Sequence, residues 1–142
     1  MVRPPLAMVL VAAADRRLLP ALALTPQLAG YERRAVHIAI DPAESTRLGR
    51  DWMSLALDGL PLHIEEPTAP TIPLIVRDLV RRELAERPAV TVIVPEMDLG
   101  RWWQPLLHRG MGRAVAWELD GIEGATTVVL PMRVDLVRAL RR

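Results

Sequence analysis

Five short apolar runs alternate with stretches of helical periodicity, and this alternation restricts the fold more than any other feature of the chain. Most of the runs are apolar throughout, which is typical of strands buried on both faces of a parallel sheet. The third run alternates apolar and polar residues, as a strand near a sheet edge does. The five runs span Leu6–Ala14, Arg33–Asp41, Leu60–Glu66, Ala89–Pro95 and Ala125–Val134.

The stretches between these runs predict four helices, because their apolar residues recur at helical spacing. They span Leu18–Leu28, Pro42–Leu57, Ile72–Arg87 and about Arg101 to Leu119. Strands that alternate with helices favour a parallel sheet covered by helices on both faces. The sequence therefore predicts a single α/β domain over residues 1–142, an open, doubly wound, Rossmann-like sandwich with a parallel sheet of about five strands.

Composition narrows the classes of function. The 142 residues carry a net charge of +1 and no cysteine. So small a charge argues against general binding of nucleic acid, which needs a concentrated basic face. No apolar run reaches the roughly 18 residues that span a bilayer, since Asp15 interrupts the amino-terminal run. We expect a cytoplasmic chain with no direct membrane insertion and no nucleic-acid partner.

The residue types that carry hydrolytic or metal chemistry lack the necessary pattern. The serines, Ser45 and Ser54, lie in a predicted helix without a Gly-x-Ser-x-Gly turn around them. The histidines share no metal-ligand spacing, and His37 and His63 lie inside predicted strands, where a hydrogen-bonded structural role is favoured. We therefore expect no enzymatic activity and no metal site.

Polar residues that follow the strands are the candidates for ligand binding, because ligands of such sheets bind beyond the carboxyl ends of the strands, where the strand order reverses. Neither a P-loop nor Gly-x-Gly-x-x-Gly follows the first strand. An aspartate there can still accept a hydrogen bond from an adenine or a ribose hydroxyl, and arginines can bind phosphate oxygens. The alternative is that these arginines are solvated surface charges and bind no ligand. The candidate nucleotide-binding residues are Asp15, Arg16, Arg17, Ile40, Arg101 and Arg109.

Several stretches carry a resemblance to a known family. They are "RAVHIAIDP" (34–42), "VTVIVPE" (90–96), "RWWQPLLH" (101–108) and "GATTVVLPMRV" (124–134). Over nearly its whole length the chain resembles the universal stress protein fold. More specifically, it resembles the soluble C-terminal domain that follows the membrane helices in bacterial amino-acid and potassium permeases of the APC superfamily.

The resemblance implies a non-catalytic regulatory domain on the cytosolic face of the membrane, with the transporter portion of the same protein as a partner. Some domains of this group bind cyclic di-AMP, whereas ATP-binding universal stress proteins carry Gly-x2-Gly-x9-Gly-Ser after the fourth strand. Aligned at the end of that strand, this chain has Pro95, Asp98, His108 and Arg109 at the four positions. Of the binding residues of that family, only the acidic residue on the adenine side of the site has a counterpart here, which is Asp15. Binding of ATP in the usual manner is therefore not expected, and the implied ligand is an adenine nucleotide such as cyclic di-AMP, ATP or AMP.

The resemblance also implies a homodimer that forms through the last strand. An apolar strand exposed at a sheet edge is normally covered, which favours the same expectation. Two alternatives stay open, a ligand-free assembly module and a free-standing binder of ATP or AMP. The candidate interface residues are Val128, Val129, Leu130 and Met132.

Overall fold

The computed structural model describes residues 3–11, 30–54, 60–98 and 110–133 of the chain. Those ranges contain five strands and three helices. The strands are β1 (Leu6–Leu10), β2 (Glu32–Ile38), β3 (Leu62–Glu65), β4 (Val90–Asp98) and β5 (Ala125–Arg133). The helices are α1 (Pro42–Ser54), α2 (Ile72–Leu84) and α3 (Met111–Leu119). The helix predicted over Leu18–Leu28 lies outside the described residues.

The five strands form one parallel sheet with the order β3-β2-β1-β4-β5. The chain builds the sheet outward from β1 to β3, and then returns to the other side of β1 for β4 and β5. The strand order therefore reverses between β1 and β4, which are hydrogen-bonded neighbours. This arrangement confirms the predicted open, doubly wound α/β fold, with β3 at one edge as its alternating pattern indicated.

Each face of the sheet packs against helices, and neighbouring residues of a strand point to opposite faces. On one face Met8 and Val92 pack with apolar residues of α2 and α3. On the other face Val9 and Ile93 pack with Leu48 and Trp52 of α1 and its neighbours. Strands buried on both faces require apolar residues at every position, which is why the runs read as continuous.

Strand β4 is longer than its apolar run predicted. The run was expected to end at Pro95, but the strand continues to Asp98. Beyond Ile93, β4 pairs with β5 and no longer with β1. Proline cannot donate to a ladder, so it is tolerated where a strand has one open side.

The helix predicted from about Arg101 begins instead at Met111. Gly110 precedes it with φ 98°, a left-handed conformation that a right-handed helix cannot include. The prediction of one continuous helix from about Arg101 to Leu119 is therefore wrong at Gly110. Residues 101–109 lie outside the described residues.

Candidate functional site

The carboxyl ends of β1 and β4 form a step in the sheet. Strand β1 ends at Leu10, and its last partner on β4 is Ile93, whereas β4 continues to Asp98. At about 3.3 Å per residue, the paired β4 and β5 project roughly 16 Å beyond that last pair. This step coincides with the reversal of strand order, which is where ligands bind in open α/β sheets.

Five of the predicted nucleotide-binding residues follow β1 or β4 in the sequence, the two strands that form this step. Asp15, Arg16 and Arg17 follow β1, and Arg101 and Arg109 follow β4; all five lie outside the described residues. The two strands that precede them, β1 and β4, are hydrogen-bonded neighbours in the sheet. The roles of these residues stay predictions.

Ile40 is the one predicted nucleotide-binding residue that the structure describes. It follows β2 at the same end of the sheet, and 51 % of the residue is exposed. Its backbone N–H donates to the carbonyl of Ile38 at 2.9 Å. An exposed aliphatic side chain beyond the carboxyl end of β2 offers an apolar surface, which is what a stacked base requires.

Glu96 is a residue of this end to which the sequence analysis gave no role. Val92, Val94 and Glu96 alternate along β4 and point to the face that α3 covers. The Oε1 atom of Glu96 accepts hydrogen bonds from the backbone N–H groups of Gly110 at 3.1 Å and Gly112 at 2.7 Å. A carboxylate at this place accepts hydrogen bonds from N–H groups that have no partner within the helix. Its negative charge also interacts favourably with the positive end of the helix dipole.

Gly112 allows this close arrangement. A Cβ atom at this position would lie 2.5 Å from Cγ2 of Val129 and 2.9 Å from Oε1 of Glu96. Both distances are shorter than a Cβ contact allows, so glycine is needed here for space, whereas Gly110 is needed for its positive φ. The sequence "GMG" is the signal that a search for helix starts could have used.

His37 fixes the carboxyl end of β1 to α1. Its Nδ1 atom lies 3.0 Å from the carbonyl oxygen of Val11, so Nδ1 carries a proton and donates. Its Nε2 atom lies 3.1 Å from Oγ of Ser45, in the first turn of α1. The ring is buried, and both nitrogens have partners. The predicted structural role of His37 is confirmed.

His63 also has a structural partner. Its Nε2 atom lies 2.6 Å from Oε2 of Glu65, a buried residue at the end of the edge strand β3. The other oxygen of Glu65 accepts from Arg82 of α2. The contact with Arg82 links α2 to the edge strand, and the contact with Glu65 agrees with the structural role predicted for His63.

Strand β5 forms the second edge of the sheet, as the dimer prediction requires. Val128 and Val129 are 36 % and 39 % exposed, which is high for valine in a strand. Leu130 is partly buried against the α1 side of the sheet, and Met132 lies in the same strand. The described residues thus contain an apolar edge, while the contact with a second copy stays a prediction.

A buried ionic cluster lies at the opposite, amino end of the sheet. The side chain of Arg87 is fully buried and donates to Glu83 at 2.8 Å and to the carbonyl of Pro4 at 2.7 Å. Arg34 donates to the other oxygen of Glu83 at 2.9 Å, and Arg87 also pairs with Glu32. The cluster ties β1, β2 and α2 together and is far from the candidate site.

The two central groups of this cluster have displaced pKa values. Burial alone raises the pKa of Glu83, but hydrogen bonds from Arg87 and Arg34 and their charges outweigh it, and the net pKa lies below its ordinary value. For Arg87, burial lowers the pKa, and the hydrogen bonds and charges of Glu83 and Glu32 raise it above its ordinary value. Both shifts favour the ionised pair.

A comparison with protein families assigns the chain. The model of the KimA potassium transporter C-terminal domain matches residues 2–132. The chain belongs to this family. The match covers all five strands of the sheet but for the last residue of β5, and the resemblance to a permease C-terminal domain is confirmed.

The residues that match the family contain nearly the whole sheet and its core. No curated protein matches the chain. Among the described residues, no helix has the length and apolar character needed to cross a membrane. The same ranges hold no group of three or more histidine and carboxylate side chains that could bind a metal ion.

Proposed function

We propose that this KimA C-terminal domain is a non-catalytic cytosolic regulatory domain of a potassium transporter. It binds an adenine nucleotide such as cyclic di-AMP at the step between β1 and β4, and it forms a homodimer through β5. Family membership supports the link to a transporter. The adjacency of β1 and β4 is the observation that supports the ligand site, because the strand order reverses between them and ligands of open α/β sheets bind at such a reversal.

The charge and shape of this end fit a nucleotide. Arg16 and Arg17 follow β1 in the sequence, and Arg101 and Arg109 follow β4, so these four guanidinium groups are the proposed partners of the phosphate oxygens. The exposed side chain of Ile40 offers an apolar surface to a base. These residues differ from the glycine loop of ATP-binding universal stress proteins, because they would bind phosphate through side chains.

The described backbone argues against the usual ATP-binding arrangement. Pro95 has no N–H group to donate. The N–H groups of Gly110 and Gly112, which begin α3, already donate to Glu96. The relation to universal stress proteins is proposed at the level of fold, with a different set of ligand contacts.

A calorimetric titration of the 142-residue chain with cyclic di-AMP, ATP and AMP tests the nucleotide part of the proposal. We expect cyclic di-AMP to bind and to raise the free energy of unfolding by about 2.7 kcal/mol at a hundred times its Kd. The double variant Arg16→Ala with Arg17→Ala should lose that binding. Arg113→Ala, an exposed arginine of α3, is the matched control and should keep it.

The ligand-free assembly module is the second candidate, and the exposed Val128 and Val129 at the β5 edge favour it. An absence of binding by all three nucleotides, together with a stable dimer, would support this candidate and contradict the nucleotide site. Binding of ATP at least as tight as that of cyclic di-AMP would instead support a universal stress protein-like nucleotide binder.

A further inference from the structure

Residues 3–5 lead into β1 and are hydrogen-bonded to the sheet on both sides; we call them the entry segment. The backbone N–H of Arg3 donates to the carbonyl of Glu86, in the connection that precedes β4, at 3.0 Å. The carbonyl of Pro5 accepts from the backbone N–H of Glu32, the first residue of β2, at 2.8 Å. The two ends of the entry segment are therefore fixed to opposite neighbours of β1.

Arg87 holds the middle of the entry segment. Its Nη1 atom donates to the carbonyl oxygen of Pro4 at 2.7 Å. The guanidinium is fully buried, and ion pairs with Glu83 and Glu32 fix its position. A donor that is held in this way cannot follow a movement of the carbonyl, so the bond to Pro4 keeps the segment in place.

The covalent structure of the entry segment adds stiffness. The ring of a proline fixes φ at about −65°, and a residue that precedes a proline is restricted to extended conformations. Both restrictions act here, because Pro4 and Pro5 follow Arg3 directly. The chain then enters β1, which is the central strand of the sheet and is buried on both faces. Residues 3–10 thus form one stiff stretch.

We infer that the entry segment is a rigid coupling, which transmits the orientation of this domain to the membrane portion of a potassium transporter. The inference rests on the proposed function, because the transporter supplies the membrane portion that precedes a C-terminal domain. A flexible linker would let the domain turn independently of that portion. A fixed entry segment makes the two move together, as regulation by rigid-body movement requires.

The first experiment measures the mobility of the entry segment in the 142-residue chain by ¹⁵N relaxation. The amide of Arg3 should have an order parameter of about 0.85, the value of rigid backbone, as should the amide of Val92 in β4. An order parameter below about 0.6 at Arg3, the range of flexible backbone, would overturn the inference. This result needs no variant.

Two variants test the role of Arg87. Arg87→Lys keeps a positive charge among the carboxylates, so it should fold, but an ammonium lacks the planar fork that reaches several acceptors at once. We expect the order parameter at Arg3 to fall toward the flexible range while that at Val92 is unchanged. Arg81→Lys, the same change at an exposed position of α2, is the matched control and should change neither value. An unchanged value at Arg3 in Arg87→Lys would show that Arg87 does not fix the segment.

The second experiment uses a transporter that carries this chain as its C-terminal domain, with potassium uptake as the readout. Deletion of residues 3–142 should change the uptake rate, because it removes the regulatory domain. Insertion of Gly-Gly-Ser between Val2 and Arg3 leaves the domain whole but adds a flexible joint, and it should change uptake as much as the deletion does. The same insertion between Pro67 and Thr68, in an exposed loop, is the matched control and should leave uptake unchanged.

The outcomes separate the two possible failures. If the deletion leaves uptake unchanged, the proposed regulatory function is wrong and the coupling role falls with it, while the relaxation data still decide whether the entry segment is rigid. If the deletion changes uptake but the insertion before Arg3 does not, the coupling role is wrong and the regulatory function stands.

Discussion

The guanidinium of Arg87 donates from Nε to the Glu83 carboxylate at 2.8 Å while none of the Arg87 side chain is exposed. A charge buried to this degree is tolerated only with its partners, because an unpaired buried charge costs several kcal/mol. The same guanidinium donates to the carbonyl of Pro4, just before β1. The cluster therefore links the start of the sheet to the end of α2.

Replacement of Arg87 by methionine should destabilise the domain by roughly 3–5 kcal/mol, because it leaves the carboxylates of Glu83 and Glu32 without this partner. Urea unfolding measures the effect. Arg3→Met is the matched control, since Arg3 pairs with Glu86 in an exposed ion pair, and it should cost no more than about 1 kcal/mol. Equal losses of unfolding free energy in the two variants would contradict the argument that burial makes the ion pairs of Arg87 more stabilising than an exposed pair.

Glu83 should contribute to the loss of stability in acid. Its pKa in the folded chain lies below the ordinary 4.5, so the folded state binds its proton less readily than the unfolded state. The resulting stabilisation is complete above about pH 4.5 and is lost as pH falls through the lower, folded pKa. Glu83→Gln removes this contribution.

The measurement is the free energy of unfolding in urea between pH 7 and pH 3 for both proteins. We expect the difference between the unmodified chain and Glu83→Gln to be constant at neutral pH and to shrink below about pH 4.5. A difference that stays constant down to pH 3 would contradict the lowered pKa.

Much of the fold follows from the sequence, because a strand buried on both faces requires an unbroken apolar run. The strands around Leu6–Leu10 and Val90–Val94 could therefore be predicted from the local sequence alone. The carboxyl end of β4 could not be predicted in this way. Pro95 continues the strand because β4 pairs with β1 only up to Ile93 and pairs with β5 alone beyond it. The start of α3 is different, since its local signal is Gly110, whose positive φ interrupts a helix that the apolar periodicity continued.

The candidate site was only partly accessible to sequence reasoning. The general rule for α/β sheets identified the ends of β1 and β4, and the sheet order agrees with it. The bonds of Glu96 to Gly110 and Gly112 join residues 14 and 16 positions apart. No local pattern reports such a contact, because it depends on how α3 crosses the end of β4.

Gly112→Ala should destabilise the domain by roughly 1–3 kcal/mol, since the added Cβ would lie 2.5 Å from Cγ2 of Val129. Adding Val129→Ala to this variant should recover part of the loss, which a double-mutant cycle in urea would show as coupling. Gly49→Ala is the control. Gly49 lies in α1 with open space around it, so alanine there should stabilise by about 0.5–1 kcal/mol. Additive losses in the cycle would contradict the steric explanation.

Val128→Arg should prevent association of two copies, because β5 is an edge strand and Val128 is 36 % exposed there. A charge placed on an apolar edge opposes pairing of that edge. Ile64→Arg is the matched control, since Ile64 is 38 % exposed on the other edge strand, β3. Sedimentation equilibrium at micromolar concentrations should show a dimer for the unmodified chain and for Ile64→Arg, and a monomer for Val128→Arg. A dimer in Val128→Arg, or a monomer in Ile64→Arg alone, would exclude β5 as the interface, and the latter result would assign it to β3.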